Sequence, residues 1–153
     1  MRVLVACEFS GVVRDAFTTR GHDAVSCDFL PTETSGKHIQ GDVLDIIDDE
    51  WDLMLAFPPC TYLCVSGNKW FKPEFRERYP GRLQDREKAI EFFMKLYNTQ
   101  IPKVCVENPI GIMSTRFRKP DQVIQPWMFG VGHTKGTCLW LKGLPKLKPT
   151  NVV

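Results

Sequence analysis

The sequence lacks an apolar run of the roughly 20 residues that a membrane-spanning helix needs, so we expect no membrane partner. It also lacks internal repeats and low-complexity segments, which argues against a solenoid or a disordered chain. Met1 to Ala6 is too short for the apolar core of a secretory signal, and the acidic Glu8 follows. The net charge is only +2, so any contact with nucleic acid must be local.

The chain has 153 residues, which predicts one domain spanning 1–153. In the absence of a signal segment we expect a cytoplasmic protein with reduced thiols rather than disulfides. Cys60 and Cys64 with His133 are poorly spaced for zinc, so no metal site is predicted. The six cysteines are Cys7, Cys27, Cys60, Cys64, Cys105 and Cys138.

One apolar stretch, residues 52–57, runs into Pro58, Pro59 and Cys60. Proline cannot donate to a sheet ladder and restricts the residue before it, so the strand must finish by Phe57 on a stiff loop. A thiol held there is suited to nucleophilic attack. It could equally be a small buried hydrophobe, which is what a free cysteine usually is.

A second strand, residues 103–107, also ends next to a proline, because Glu107 and Asn108 come directly before Pro109. A glutamate that completes a buried strand is unfavourable unless it is paired or opens into a cleft. This makes Glu107 a candidate functional residue.

The opening residues predict the strand, turn and helix of a Rossmann-like unit. The strand covers 2–6, the turn 7–11, and the helix buries a face of Val12, Val13, Ala16 and Phe17. Further strands are predicted at 23–28, 38–43 and 136–141, and an amphipathic helix at 83–98. This alternation predicts a doubly wound α/β fold that binds ligands at the carboxyl ends of its strands.

A long basic loop, residues 66–82, separates the two strand ends. Its cations and aromatic rings could bind phosphates and stack on bases, and a solvated surface loop is the alternative. The candidate nucleic-acid-binding residues here are Lys69, Trp70, Arg76, Arg78 and Arg82.

The two strand ends together resemble the DNA cytosine-5 methyltransferases, whose central motifs are Pro-Cys and Glu-Asn-Val. The whole chain is also similar to small phage-encoded cytosine-methylase-like proteins. The resemblance implies a class I S-adenosylmethionine-dependent methyltransferase fold, mostly parallel with an antiparallel last strand. It implies DNA as the partner, in a phage-infected or prophage-carrying bacterial host.

The resemblance also implies roles for individual residues. Asp28 would hold the ribose of S-adenosylmethionine, Phe29 would contact the adenine, and Asp42 with Val43 would lie at the adenine edge. Cys60 would be the nucleophile and Glu107 the acid that recognises cytosine. The cofactor-binding set is Phe9, Ser10, Gly11, Asp28, Phe29, Asp42, Val43 and Pro58, and the catalytic set is Cys60, Glu107, Pro59 and Asn108.

The implied chemistry suits these residue types. A thiolate that adds to cytosine C6 makes C5 nucleophilic, which divides one difficult step into two. The site would therefore need to lower the pKa of Cys60 through cations or amide donors. A protonated Glu107 would donate to ring N3, and Asn108 would orient the loop. In duplex DNA the cytosine would have to leave the stack.

The sequence departs from the family pattern in several ways. It has no Gln-x-Arg-x-Arg segment, although Lys135 lies roughly where one of those arginines would be. It has no room for a target-recognition domain and no closing helix after Trp140. A second subunit or a protein partner would then supply recognition, and single-stranded DNA or a free cytosine nucleotide is an alternative substrate. The alternative is a catalytically silent methylase-fold protein that binds nucleic acid, nucleotide or a host protein.

Amino-directed methyltransferases are a rival, because they use Asp/Asn/Ser-Pro-Pro-aromatic at the equivalent strand end. Here Phe57 replaces the polar residue and Cys60 replaces the aromatic residue. Both differences favour methylation at carbon.

Overall fold

The computed structural model describes residues 1–64 and 81–153. Two 3-10 turns, Val43–Asp45 and Pro126–Met128, accompany the regular elements. The strands are β1 (Arg2–Ala6), β2 (Asp23–Asp28), β3 (His38–Gln40), β4 (Leu53–Ala56), β5 (Lys103–Pro109), β6 (Gln122–Ile124) and β7 (Thr137–Lys142). The helices are α1 (Val12–Thr19), α2 (Arg82–Tyr97) and α3 (Met113–Arg116).

The strands of the described residues form one seven-stranded sheet in the order β3-β2-β1-β4-β5-β7-β6. All neighbouring pairs are parallel except those that β7 makes with β5 and β6. This is the strand order of a Rossmann sheet with β7 inserted between β5 and β6. The predicted α/β fold, mostly parallel with an antiparallel last strand, is confirmed at this level.

The order reverses between β1 and β4, which are hydrogen-bonded neighbours. In open α/β sheets, ligands bind at such a switch point, outside the carboxyl ends of the strands. Two segments identified in the sequence therefore lie at this edge: the turn 7–11 after β1 and the Pro-Pro-Cys segment after β4.

The central strands are buried on both faces, as expected for parallel strands. On one face, Leu4, Met54 and Val104 join Phe93 of α2 and Trp140 of β7 in the main core. The Phe93 and Trp140 rings meet edge to face, with 5.1 Å between their centroids. On the other face, a smaller cluster packs against α1: Val3, Val5, Ala24, Leu53, Val13 and Phe17.

Several predicted boundaries differ from the structure. β5 continues through Pro109 because Asn108 and Pro109 pair with Cys138 and Thr137 of β7. A proline is tolerated at the end of a strand, where its missing N–H costs least. β3 ends at Gln40, since Asp42 instead caps the 3-10 turn by accepting from the Leu44 amide.

Helix α1 begins at Val12 as predicted, but its buried face differs. Val13 and Phe17 pack inward, whereas Val12 is 70% exposed. The fully buried residue of this helix is Arg14.

Arg14 holds the loop between β2 and β3 against α1. Its guanidinium donates to the hydroxyls of Ser26 (2.9 Å), Thr32 (3.0 Å) and Thr34 (2.7 Å), and to the carbonyl of Ser35 (3.3 Å). A buried cation is tolerated only when its donors are satisfied in this way.

We expect Arg14→Met to destabilise the protein strongly. The variant leaves the hydroxyl of the buried Ser26 and that of the half-buried Thr32 without this donor, and an unsatisfied buried group costs about 1–3 kcal/mol. The urea midpoint of unfolding should therefore fall well below that of the control Arg20→Met, which alters an exposed arginine. Equal midpoints for the two variants would contradict this role.

Among the described residues, no helix has both the length and the apolar character to cross a bilayer.

Candidate active site

The chain turns sharply at Cys60. After β4, Pro58 is buried and Pro59 is exposed. The amides of Leu63 and Cys64 then donate to the Cys60 carbonyl at 2.9 and 3.0 Å. We call residues 60–64 the Cys60 turn. It presents a half-buried thiol beyond the carboxyl end of β4.

The Cys60 turn is joined to the end of β5. The Asn108 side-chain amide donates to the Pro58 carbonyl at 3.1 Å. The Ile112 amide donates to the Leu63 carbonyl at 2.8 Å, and Cys64 and Gly111 form an antiparallel bridge. Because β4 and β5 are paired in parallel register, these contacts combine two strand ends into one unit.

Asn108 is the side chain that links the two strand ends, and it is only 1% exposed. Its Nδ2 also donates to the Glu107 carbonyl at 3.1 Å, so two carbonyls fix the orientation of the amide. Its Oδ1 is buried without a hydrogen-bond partner among the described residues. Asn108 therefore orients the backbone on both sides of the site.

Glu107 is half-buried on the α1 side of β5. It lies in the wall of an otherwise apolar cavity of about 670 Å³, between the sheet and Leu144, Pro145 and Leu147. Burial raises the pKa of Glu107, and the positive charge of Lys135 acts in the opposite direction. The carboxyl is therefore easier to protonate than an ordinary glutamate, and a protonated carboxyl can donate a hydrogen bond.

The pKa of Cys60 is raised, chiefly by burial and next by the neighbouring Cys64. The backbone amide of Cys60 lowers this pKa, and the negative charge of Glu107 raises it by a smaller amount than the amide lowers it. The sequence led us to expect cations or amide donors that lower this pKa. In the described residues, burial and negative charge outweigh the single amide.

Glu107 is one of the lesser causes of this raised pKa, and the two side chains lie at the carboxyl ends of β4 and β5, which are paired in parallel register. The structure thus brings the two candidate catalytic residues to one site.

The turn after β1 is organised by Glu8, a residue that sequence analysis did not single out. Glu8 is 7% exposed, and its carboxylate accepts from the amides of Val13 (2.8 Å) and Arg14 (3.3 Å). The Ser10 hydroxyl donates to it at 2.9 Å. Glu8 therefore satisfies the first free amides of α1, as a capping residue does. The sequence sign of this role is the position of the acid, three residues before the glycine at the start of the helix.

A cleft of about 260 Å³ opens beside this turn, lined by Phe9, Ser10 and Phe57 among others. Gly11 precedes α1 with a φ of 81°, and a Cβ there would collide with the Thr34 hydroxyl. Only glycine suits both the left-handed backbone and this close contact.

Two carboxylates converge on the end of β1. Burial raises the pKa of Cys7 to about 12, and the negative charges of Asp28 and Asp42 contribute to this shift. Asp28 accepts from the Leu30 amide at 2.9 Å, and Asp42 from the Leu44 amide at 3.0 Å. Neither carboxylate has an ion pair within the described ranges.

Asp28 and Asp42 are the acids to which the resemblance assigns S-adenosylmethionine. Two carboxylates without cations suit a ligand that carries hydroxyl donors and positive charge. Phe29 follows Asp28 and is 70% exposed, so its ring is free to stack on a base. Val43 is buried in the main core, which leaves mainly its backbone for contact with an adenine edge.

The predicted nucleic-acid-binding residues are only partly described. Lys69, Trp70, Arg76 and Arg78 lie outside the described residues. Arg82 is the first residue of α2, and its guanidinium lies 4.9 Å from the centroid of the Tyr62 ring. Lys135 is exposed and close enough to Glu107 to affect its pKa. Arg86, which sequence analysis did not select, donates from Nε to the Tyr62 carbonyl at 2.9 Å.

Within residues 1–64 and 81–153, no group of three histidine, cysteine or acidic side chains is arranged to hold a metal ion. Comparison with known proteins finds no family model that matches this chain. No curated protein matches it either.

Proposed function

We propose that this chain has the class I methyltransferase form of the Rossmann-like fold and methylates cytosine at C5 through a covalent bond to Cys60. The observation that carries the proposal is the junction between the strand ends, where Asn108 donates to the Pro58 carbonyl and the paired strands β4 and β5 lead to Cys60 and Glu107. The proposal includes a bacterial cytoplasmic setting, in a phage-infected or prophage-carrying host, and DNA or a cytosine nucleotide as substrate.

Glu107 would bind the target base in its protonated form. Its raised pKa favours the neutral carboxyl, which donates to ring N3, while the other oxygen accepts from the 4-amino group. As the ring becomes more basic on addition, this hydrogen bond strengthens, so it stabilises the transition state more than the bound substrate.

Cys60 would attack C6 as a thiolate, forming the S–C6 bond and moving the electron pair of the C5–C6 double bond towards C5. Protonation of Glu107 removes one of the charges that raise the Cys60 pKa, so base binding and thiol activation support each other. When bound, S-adenosylmethionine supplies the electrophilic methyl group. The C5 proton then leaves to a base, the S–C6 bond breaks, and the thiolate is regenerated.

The cofactor would be held at the carboxyl ends of β1, β2 and β4. Asp28 would accept from the ribose hydroxyls, and Asp42 offers a second acceptor close by. Phe9 and Phe29 offer aromatic surface, while Pro58 keeps the end of β4 rigid. These residues bring the methyl donor to the edge where Cys60 lies.

We expect Cys60 to form a covalent adduct with an oligonucleotide containing 5-fluorocytosine when S-adenosylmethionine is present. Fluorine cannot leave C5 as a proton does, so elimination stops and the adduct persists on a denaturing gel. Cys60→Ser should abolish the adduct, and Cys64→Ser, a thiol in the same turn, should retain it. No adduct with the unaltered protein, or an adduct with Cys60→Ser, would refute the mechanism.

A catalytically silent protein that binds nucleic acid, nucleotide or a host protein is the second candidate. The raised pKa of Cys60 favours it, because a protonated thiol is a poor nucleophile. This candidate predicts binding of a ligand without any adduct. A rise in melting temperature with S-adenosylmethionine would separate cofactor binding from catalysis.

A further inference from the structure

The first three amides of α1 are held by side chains of the turn that precedes the helix. The Ser10 hydroxyl accepts from the Val12 amide at 3.3 Å. The Glu8 carboxylate accepts from the Val13 amide at 2.8 Å and from the Arg14 amide at 3.3 Å. Amides at this place have no partner within a helix, so they would otherwise be available to a ligand. Here they are engaged before any ligand binds.

Glu8 supplies a negative charge to the helix from a buried position. The residue is only 7% exposed, and the Ser10 hydroxyl donates to its Oε1 at 2.9 Å. A negative charge is favourable there because the helix macrodipole makes the N-terminal end of α1 positive. The carboxylate therefore satisfies two amides and also offsets the positive end of the helix.

The start of the helix after the first strand is the place where Rossmann-like folds bind the pyrophosphate of a dinucleotide. The amides there donate to phosphate oxygens, and the macrodipole attracts the negative charge. In this chain the Glu8 carboxylate takes the place of the phosphate. A phosphate brought to α1 would find these amides engaged and would lie beside a like charge.

The cleft beside this turn has further acids around it. Glu8 and Cys7 both line the cleft of about 260 Å³. Burial raises the pKa of Cys7 to about 12, and the negative charges of Asp28 and Asp42 add to this shift, so both acids lie near the cleft. Within residues 1–64 and 81–153, none of these three carboxylates forms an ion pair. The described surroundings of the cleft therefore disfavour an anion.

We propose that Glu8 is a specificity-determining residue, which excludes phosphate-bearing nucleotides from the cleft after β1 by occupying the first amides of α1. The inference rests on the proposed function, since it takes this cleft as part of the cofactor site. A phosphate could reach the amides only by displacing the carboxylate. Displacement would leave a buried charged group without its hydrogen bonds, which is strongly unfavourable.

The consequence concerns the class of cofactor. Dinucleotides and nucleoside di- and triphosphates would place phosphates at the start of α1, so we expect them to bind poorly. S-adenosylmethionine has no phosphate and carries a net positive charge, so Glu8 does not oppose it. The turn would thus select a methyl donor over the phosphorylated nucleotides that share its adenosine.

The first test uses inorganic pyrophosphate, which presents the anion without a nucleoside. Melting temperatures are measured with and without pyrophosphate for the unaltered protein, Glu8→Ala and the control Glu33→Ala, which alters an exposed glutamate. Glu8→Ala frees the Val13 and Arg14 amides, so pyrophosphate should raise its melting temperature by binding the folded state. The unaltered protein and Glu33→Ala should show a much smaller rise. Equal rises in all three proteins would overturn the proposal.

The second test compares two ligands that share adenosine. ADP carries a diphosphate, whereas S-adenosylhomocysteine carries an amino acid. In calorimetric titrations the affinity for ADP should rise about 10- to 100-fold in Glu8→Ala, because the freed amides donate charge-assisted hydrogen bonds to the phosphates. The affinity for S-adenosylhomocysteine should not rise.

Glu8→Gln keeps the test decisive if Glu8→Ala does not fold. Its side-chain oxygen can still accept from the Val13 amide, while the negative charge is removed. We expect a gain in ADP affinity that is smaller than that of Glu8→Ala, because only the repulsion is relieved. No gain for ADP in any folded Glu8 variant would overturn the proposal.

The measurements separate this inference from the proposed function. If pyrophosphate selectively stabilises Glu8→Ala but S-adenosylmethionine stabilises none of the proteins, the exclusion of phosphate stands and the proposed cofactor falls. If S-adenosylmethionine stabilises the unaltered protein but pyrophosphate acts equally on it and on Glu8→Ala, the inference about Glu8 falls alone.

Discussion

Gly111→Ala is expected to break the junction between the Cys60 turn and the end of β5. A Cβ at this position would overlap the Leu63 carbonyl oxygen and lie 2.7 Å from its carbon. The colliding atoms are backbone, and the Leu63 carbonyl already accepts from the Ile112 amide, so neither side can move without losing that bond. Overpacking in a tight site costs typically 1–3 kcal/mol, and this collision should lie at the upper end.

The loss should appear in both stability and chemistry. We expect a lower urea midpoint for Gly111→Ala and a large reduction in the rate of adduct formation on 5-fluorocytosine, because Cys60 and Glu107 would no longer share a fixed geometry. Gly132→Ala is the matched control, since a Cβ there meets nothing within 4 Å. If the two variants behave alike, the junction has no mechanical role.

Glu107→Gln is expected to be inactive and yet more stable than the unaltered protein at about pH 8. The variant cannot release or hold the proton that the proposed mechanism needs, and removal of such a general acid typically lowers the rate by about 10²–10⁴. The gain in stability follows from the raised pKa of Glu107. A half-buried carboxylate opposes folding whenever it is ionised, and the neutral amide does not.

The contribution of Glu107 to the stability of the protein decreases as pH rises. The folded-state pKa of Glu107 lies above its unfolded value, so its contribution to stability is fully present below the unfolded pKa. That contribution is lost as pH rises through the folded pKa. The advantage of Glu107→Gln over the unaltered protein should therefore shrink towards about pH 4, near the ordinary pKa of a glutamate.

Two further measurements test this account of Glu107. Cys60 should react faster with an alkylating agent in Glu107→Gln, because one cause of its raised pKa is gone. Glu91→Gln, an exposed glutamate paired with Lys95, serves as the control and should show neither effect. A stability gain in Glu107→Gln that stays constant with pH would contradict the assigned cause.

The sheet could be predicted from the sequence because its central strands are short apolar runs with clear stops. Leu53–Ala56 ends before two prolines, and Arg2–Ala6 ends at a glycine-containing turn. The alternation of these runs with helical segments then indicates a parallel sheet, whose carboxyl ends meet at one edge. Cys60 and Glu107 could be selected together for that reason.

Other features depend on contacts between distant parts of the chain, which local pattern does not reveal. The three-residue strand β6 exists because it pairs with β7, and its own residues carry too little signal. Arg14 is buried because threonines in a separate loop meet its guanidinium, whereas composition alone places arginine at the surface. The link from Asn108 to Pro58 likewise spans fifty residues.

The connection between the Cys60 turn and β5 bears on how sequence change can be tolerated here. Its contacts at Pro58, Leu63 and Ile112 use main-chain groups, which every residue type other than proline can supply in full. This connection therefore constrains the side chains at Leu63 and Ile112 only weakly. It constrains the number of residues in the two loops that carry them more strongly. An insertion or deletion between Ala56 and Leu63, or between Val106 and Ile112, would shift the Cys60 turn relative to the end of β5. We therefore expect natural selection to conserve the lengths of these two loops more strictly than the identities of their residues.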